Sequence, residues 1–113
     1  VKTPDRVVTE LDEIRHAVMR SAVDIRDAES KAASADEDFR REWAVAYRRA
    51  EGSVKDREAV ADLDTMTLRK EKNAAAIQVG YLKRRAADLE TVQTNVQTQA
   101  RMVDLTFRAP RVS

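Results

Sequence analysis

Cysteine is absent from the sequence, and glycine, proline, histidine and aromatic residues are scarce. Without a thiol there is no disulfide, no zinc–thiolate site and no cysteine nucleophile. A cysteine-free chain suits a reducing compartment, and a cytoplasmic location is expected. The two glycines, Gly52 and Gly80, lie too far apart to form a phosphate-cradling loop. His16 is the sole histidine. Asp12 and Glu13 lie near it, but one imidazole with water-facing carboxylates is a poor ligand set. A surface histidine is the expected reading, with no metal and no cofactor. No apolar run approaches the roughly 20 residues of a membrane span. Asp5, Arg6, Glu10, Asp12 and Glu13 break up the start, so no signal-peptide pattern is expected.

What the chain does contain is charge and small apolar residues. Asp, Glu, Lys and Arg make up 36% of its 113 residues, which suits solvent-washed helices with narrow apolar seams. Most apolar residues are Ala and Val, with little area to bury. A helical unit of this kind needs a partner surface, often a copy of itself. Net charge is +1, but the signs are unevenly placed. Residues 1–64 hold 12 Lys/Arg against 16 Asp/Glu, and residues 65–113 hold 9 against 4. An acidic front and a basic back suggest pairing between the halves or an anionic ligand on the second.

Local signals predict an all-α fold, a long antiparallel helical hairpin that associates through coiled-coil packing into a homo-oligomer. Thr3, Pro4 and Asp5 read as cap, first turn and dipole-matched acid. Val7, Leu11, Ile14, Val18, Ala22 and Ile25 then recur at steps of three or four, one stripe of a helix. The stripe thins over 28–35, and Ser34 with Glu37 allows a kink there. Phe39, Trp43 and Tyr47 follow on one face. Gly52 ends the helix, and Ser53 caps the next with Asp56 at its third position. The expected elements are helix one over about 4–51, a turn at 52–53 and helix two over about 54–107, closed by Pro110, all one domain.

Helix two carries two seams. Val60, Leu63, Ala74, Ile77 and Tyr81 form the first. Ala75, Val79, Leu82, Ala86, Leu89, Gln93, Val96, Ala100, Val103 and Phe107 alternate strictly by four and three, a heptad. One partner helix does not cover both. The expectation is that the first seam meets helix one, with Trp43 opposite Leu63 and Tyr47 opposite Val60. Val79, Leu82, Ala86, Leu89, Gln93, Val96 and Val103 are then the oligomer interface. Residues 91–100 carry no charge, and Gln93 in the seam is of the kind that sets register.

No concave pocket is expected and Ser53 has no histidine partner in sequence, so the chemistry points to binding and away from catalysis. The candidate nucleic-acid contacts are two basic clusters: Arg69, Lys70 and Lys72, then Lys83, Arg84 and Arg85. Arg69, Lys72, Lys83 and Arg84 fall within an arc of roughly 120° and flank the heptad, a placement suited to phosphates. The alternative is a solvated face paired with acids of helix one such as Asp24, Asp27 and Glu29. Arg48, Arg49, Lys55 and Arg57 form a further basic group at the turn, diluted by Glu51, Asp56 and Glu58. Phe39, Trp43 and Tyr47 read as core, with base stacking as the other option.

The stretch Ala46-Tyr47-Arg48-Arg49-Ala50-Glu51-Gly52-Ser53-Val54-Lys55-Asp56-Arg57-Glu58-Ala59 resembles the hinge of small helical proteins in tailed-phage and prophage genomes. The heptad segment Leu82-Lys83-Arg84-Arg85-Ala86-Ala87-Asp88-Leu89-Glu90-Thr91-Val92-Gln93 is similar to the one that ends them. The resemblance covers about residues 39–102, and extends more remotely to UvsY-type recombination mediators of phages. The resemblance implies a ring-like oligomer in the bacterial host cytoplasm. It implies binding to single-stranded DNA and help in loading a recombinase past single-strand-binding protein, the two further partners. The mediators' short Lys/Arg motif has no clear counterpart here, so the candidate contacts come from charge clustering. A structural or scaffolding coiled-coil protein of phage assembly, without a nucleic-acid ligand, is the competing reading.

Overall fold

The computed structural model describes residues 3–108. Its elements are α1 (Pro4–Arg49), α2 (Val54–Asp64) and α3 (Met66–Arg108), with α1 and α3 packed antiparallel. Pro110 lies outside the described residues, as does the side chain of Phe107. The Thr3 hydroxyl accepts the Arg6 N–H at 3.3 Å, and the Thr3 carbonyl accepts the Val7 N–H at 3.1 Å. The first turn is thus closed by the cap residue itself.

α1 runs through Ser34 as one continuous helix, with no break where the stripe thins. Ala-rich sequence without Gly or Pro gives the backbone no reason to leave the helix. The interruption falls instead at Thr65, which separates α2 from α3 where one continuous helix was expected. Thr65 is 2% exposed and sits at φ −108°, ψ 14°. Its hydroxyl donates to the Ala61 carbonyl at 2.6 Å, and its N–H reaches the same carbonyl at 3.1 Å. A buried threonine bonding back four residues is a known source of helix bending. The ladder resumes at once, with the Arg69 N–H on the Thr65 carbonyl at 2.9 Å.

The chain forms two compact units. One contains Ile25–Tyr81; the other combines α1 up to Asp24 with α3 from Leu82 onward. In the first, Ile25, Ala28, Ala32, Ala35 and Phe39 of α1 are half-buried at steps of three and four. Trp43, Ala46 and Ala50 continue the line, but the step from Phe39 to Trp43 is four where the alternation calls for three. Such a stutter locally changes supercoiling. Across from it, Ala61, Thr65, Leu68, Lys72, Ala75 and Val79 keep a strict four-three alternation through the break. The two periodicities disagree beside the bulky aromatics, and the helix break at small, buried Thr65 absorbs the mismatch.

In the other unit Val7 and Val96 are buried, and Leu11, Ile14, Val18, Leu82, Ala86, Leu89, Gln93, Ala100 and Val103 are half-buried. The α1 stripe passes through Ser21, with Ala22 exposed. In the uncharged segment the Thr91, Thr94 and Thr98 hydroxyls donate to carbonyls four residues back at 3.0–3.2 Å. These hydroxyls find their acceptors on their own helix.

At the hairpin turn Gly52 has φ 109°, the only positive φ among the described residues. The Ser53 Oγ accepts the Asp56 N–H at 3.2 Å, and the Asp56 carboxylate accepts the Ser53 N–H at 3.2 Å. A Cβ on residue 52 meets Asp56 Oδ2 at 2.9 Å. Gly52→Ala therefore strains the backbone and displaces the capping carboxylate together. Its expected effect is a loss of about 1–2 kcal/mol, read as a Tm lowered by several degrees in thermal unfolding. An unchanged Tm contradicts this account of the turn.

Candidate nucleic-acid interface and association faces

The cations of α3 differ in what holds them. The Arg69 guanidinium donates to Asp62 Oδ1 at 2.7 Å and lies 5.5 Å from the Phe39 ring centroid. The Lys72 ammonium lies 5.0 Å from the same centroid and 3.5 Å from Asp36 Oδ1. The other Asp36 oxygen holds Arg40 at 3.1 Å. Two of the six candidate contacts are thus tied to acids and to an aromatic ring of the same chain. The acid on helix one is Asp36, not Asp24, Asp27 or Glu29. The acid on α2 is Asp62, seven residues before Arg69 and on the same helix face.

Asp62 joins the helices around the aromatic segment. Trp43 Nε1–H donates to Asp62 Oδ1 at 2.9 Å, the same oxygen that accepts from Arg69. The hydrogen bond from Trp43, with Arg69 adding a bond and a charge, holds the Asp62 carboxyl below the ordinary aspartate value. The Trp43 and Tyr47 rings stack at 5.4 Å and 16°, and the Arg57 guanidinium lies 5.9 Å from the Tyr47 centroid. The aromatics are half-buried packing elements of this junction. Trp43 meets Asp62 and not the expected Leu63. A one-residue difference is 100° around the helix, enough to exchange the two seams.

That exchange is the main correction. The first seam, expected to meet helix one, is turned outward: Leu63 is 68% exposed, Ile77 70%, Tyr81 50% and Val60 40%. The heptad, expected to serve as the oligomer interface, is turned inward. Val96 is buried, and Val79, Leu82, Ala86, Leu89, Gln93 and Val103 are half-buried within the single chain. Leu82 and Leu89 line one small cavity together with Ala17 and Ser21 of α1. The physical reason is continuity. The heptad runs unbroken and finds the α1 stripe, which is regular up to Phe39, whereas the first seam is interrupted by Thr67 and Lys70.

Lys70, Lys83, Arg84 and Arg85 are exposed and make no ion pair among the described residues. The last three do not form one patch, since successive helical residues point 100° apart. Arg85 lines the small cavity with Arg20 and Asp24, away from Lys83. Arg48, Arg49 and Lys55 near the turn are also exposed. Arg48 and Arg49 complement the C-terminal end of the α1 dipole. His16 is exposed, with its Nδ1 at 2.8 Å from the Asp12 carbonyl. Among the described residues no group of acids and histidine is placed to hold a metal ion, and no helix is long and apolar enough to cross a membrane. Comparison with protein-family models, with curated proteins and with solved structures finds no match.

Because the carboxyl of Asp62 is held low, its contribution to stability is present above the ordinary aspartate range and is lost as pH falls through the lowered value. Asp62→Asn removes that contribution. The difference in Tm between pH 7 and pH 3 is expected to be smaller for the variant than for the parent chain. Equal differences in the two proteins contradict the assigned role of Asp62.

Proposed function

We propose that the chain is a non-catalytic, self-associating helical hairpin that binds the backbone of single-stranded DNA as an accessory protein of phage recombination or replication. The observation that carries this reading is a set of exposed cations on α3, Lys83, Arg84 and Arg85 among them, that make no ion pair among the described residues. Each is a weak site alone. Copies of the chain in one assembly multiply them, and affinity then comes from avidity. Among the described residues twelve large apolar side chains lie at 40% exposure or more, while the buried apolar set is Val7, Ala50, Ala61 and Val96. That imbalance supports self-association. The resemblance of residues 39–102 to phage mediators supplies the biological setting. Arg69 and Lys72 drop out of the contact set, because Asp62, Asp36 and Phe39 already hold them.

The same ion pairs favour a second reading, a scaffolding protein of phage assembly in which the basic residues serve the hairpin itself. The two readings separate in a fluorescence-anisotropy titration with a labelled single strand. Binding at low salt is expected, with log affinity falling against log salt by about 0.7 per phosphate held and little dependence on base sequence. The double variant Lys83→Glu, Arg84→Glu is expected to lose at least tenfold in affinity while keeping its helicity and mass. No binding by the parent assembly at low salt removes the nucleic-acid reading and leaves the scaffold.

A further inference from the structure

On the unit formed by Ile25–Tyr81, α1 and α3 leave a groove of about 620 Å³. Its walls are Ala28 and Ala35 from one helix and Ala74 and Ala75 from the other, with Lys31 and Glu71 among its lining residues. The short side chains of these alanines do not fill the space between the two helices, which leaves room for side chains from outside. Beside the groove runs the outward ridge of Leu63, Ile77 and Tyr81, exposed by 68%, 70% and 50%. Ala74 lies on the helical line of that ridge and also forms part of the groove wall, so ridge and groove are contiguous on α3.

We propose that this ridge and groove are the self-association face, and that the occupant is a second copy of the chain in antiparallel, two-fold arrangement. The inference rests on the self-association part of the functional reading and names its surface. The ridge spans Leu63 to Tyr81, and the α3 wall of the groove spans Leu68 to Gln78. Both are centred within a residue of position 72. A two-fold axis at that level lays the ridge of each copy into the groove of the other, the self-complementary geometry of an isologous dimer. Leu63 then comes opposite Tyr81 of the second copy, and Ile77 enters the groove near its Leu68 end.

Charge follows the same pattern. Lys70 on the ridge and Glu71 on the groove wall are adjacent in sequence and of opposite sign, and neither makes an ion pair among the described residues. Under the two-fold operation Lys70 of each copy approaches Glu71 of the other, within four residues of level, or about 6 Å of helix rise. Lys70 and Glu71 are thereby paired twice per dimer, close to the two-fold axis.

The cysteine-free sequence makes the test direct. Chains carrying Leu63→Cys and chains carrying Tyr81→Cys are mixed and oxidised. The expected product is the mixed disulfide dimer, in excess of either like pair. A predominance of Leu63→Cys like pairs means a parallel arrangement and overturns the proposal. In parallel, light scattering on the parent chain is expected to give at least twice the 12.8 kDa of one chain. Ile77→Asp, on an exposed position, is expected to return the mass to one chain with helicity retained by circular dichroism. Lys70→Glu is expected to weaken association, and the double variant Lys70→Glu, Glu71→Lys to restore it. An assembly unchanged by Ile77→Asp overturns this face while self-association stands. A monomeric parent chain overturns both, and the anisotropy titration then reports on DNA binding separately.

Discussion

The antiparallel meeting of the α1 stripe with the α3 heptad is the constraint that the other features answer to. Both seams mix aliphatic residues with many small ones: Ala28, Ala32 and Ala35 on one side, Ala75, Ala86 and Ala100 on the other. Each alanine removes little apolar area from water, so no single contact dominates. The hairpin depends on the regularity of many weak contacts. Regularity also decides which face of α3 turns inward. An unbroken four-three alternation keeps its contact along the full length of a partner helix, while an interrupted seam loses it after two or three turns. The outer face of α3 is left with Ile77, Tyr81 and Val92 in water as a consequence.

The one place where the two seams fall out of step is also the most elaborated part of the chain. Phe39, Trp43 and Tyr47 bring bulk and a changed spacing, and the opposing helix responds with a break at Thr65. Asp62 then collects the Trp43 N–H and the Arg69 guanidinium on a single oxygen, while Phe39 takes the charges of Arg69 and Lys72 on its ring. These interactions position the aromatic segment against α2 and the start of α3. They also give Arg69 and Lys72 acidic partners within the chain, in pairs that remain open to water.

Much of this was legible from residue order. The Thr3 cap and the Ser53–Asp56 capping box depend on side chains within three residues of the backbone groups they satisfy, and the Gly52 stop on the backbone freedom of one residue, so local sequence suffices. The heptad was legible as a pattern but not as a destination, because periodicity says which residues share a face and not which helix covers it. The break at Thr65 was missed since threonine is tolerated inside helices; its signal is the mismatch between the α1 aromatics and the α3 alternation, visible only once the two are set in register. The site followed the same division. Clusters such as Lys83-Arg84-Arg85 look like one patch in sequence, yet helical geometry scatters them, and the acids engaging Arg69 and Lys72 become apparent only from packing.

The hairpin requires that α1 of the same chain cover the heptad of α3. A chain carrying Ser21→Cys and Arg85→Cys, two positions lining one small cavity, tests this with a short thiol-reactive bridge. Products resolved under denaturing conditions are expected to have the mass of one chain, in a yield that does not change on dilution. Bridged products found only at the mass of two chains, and fading as the protein is diluted, contradict it.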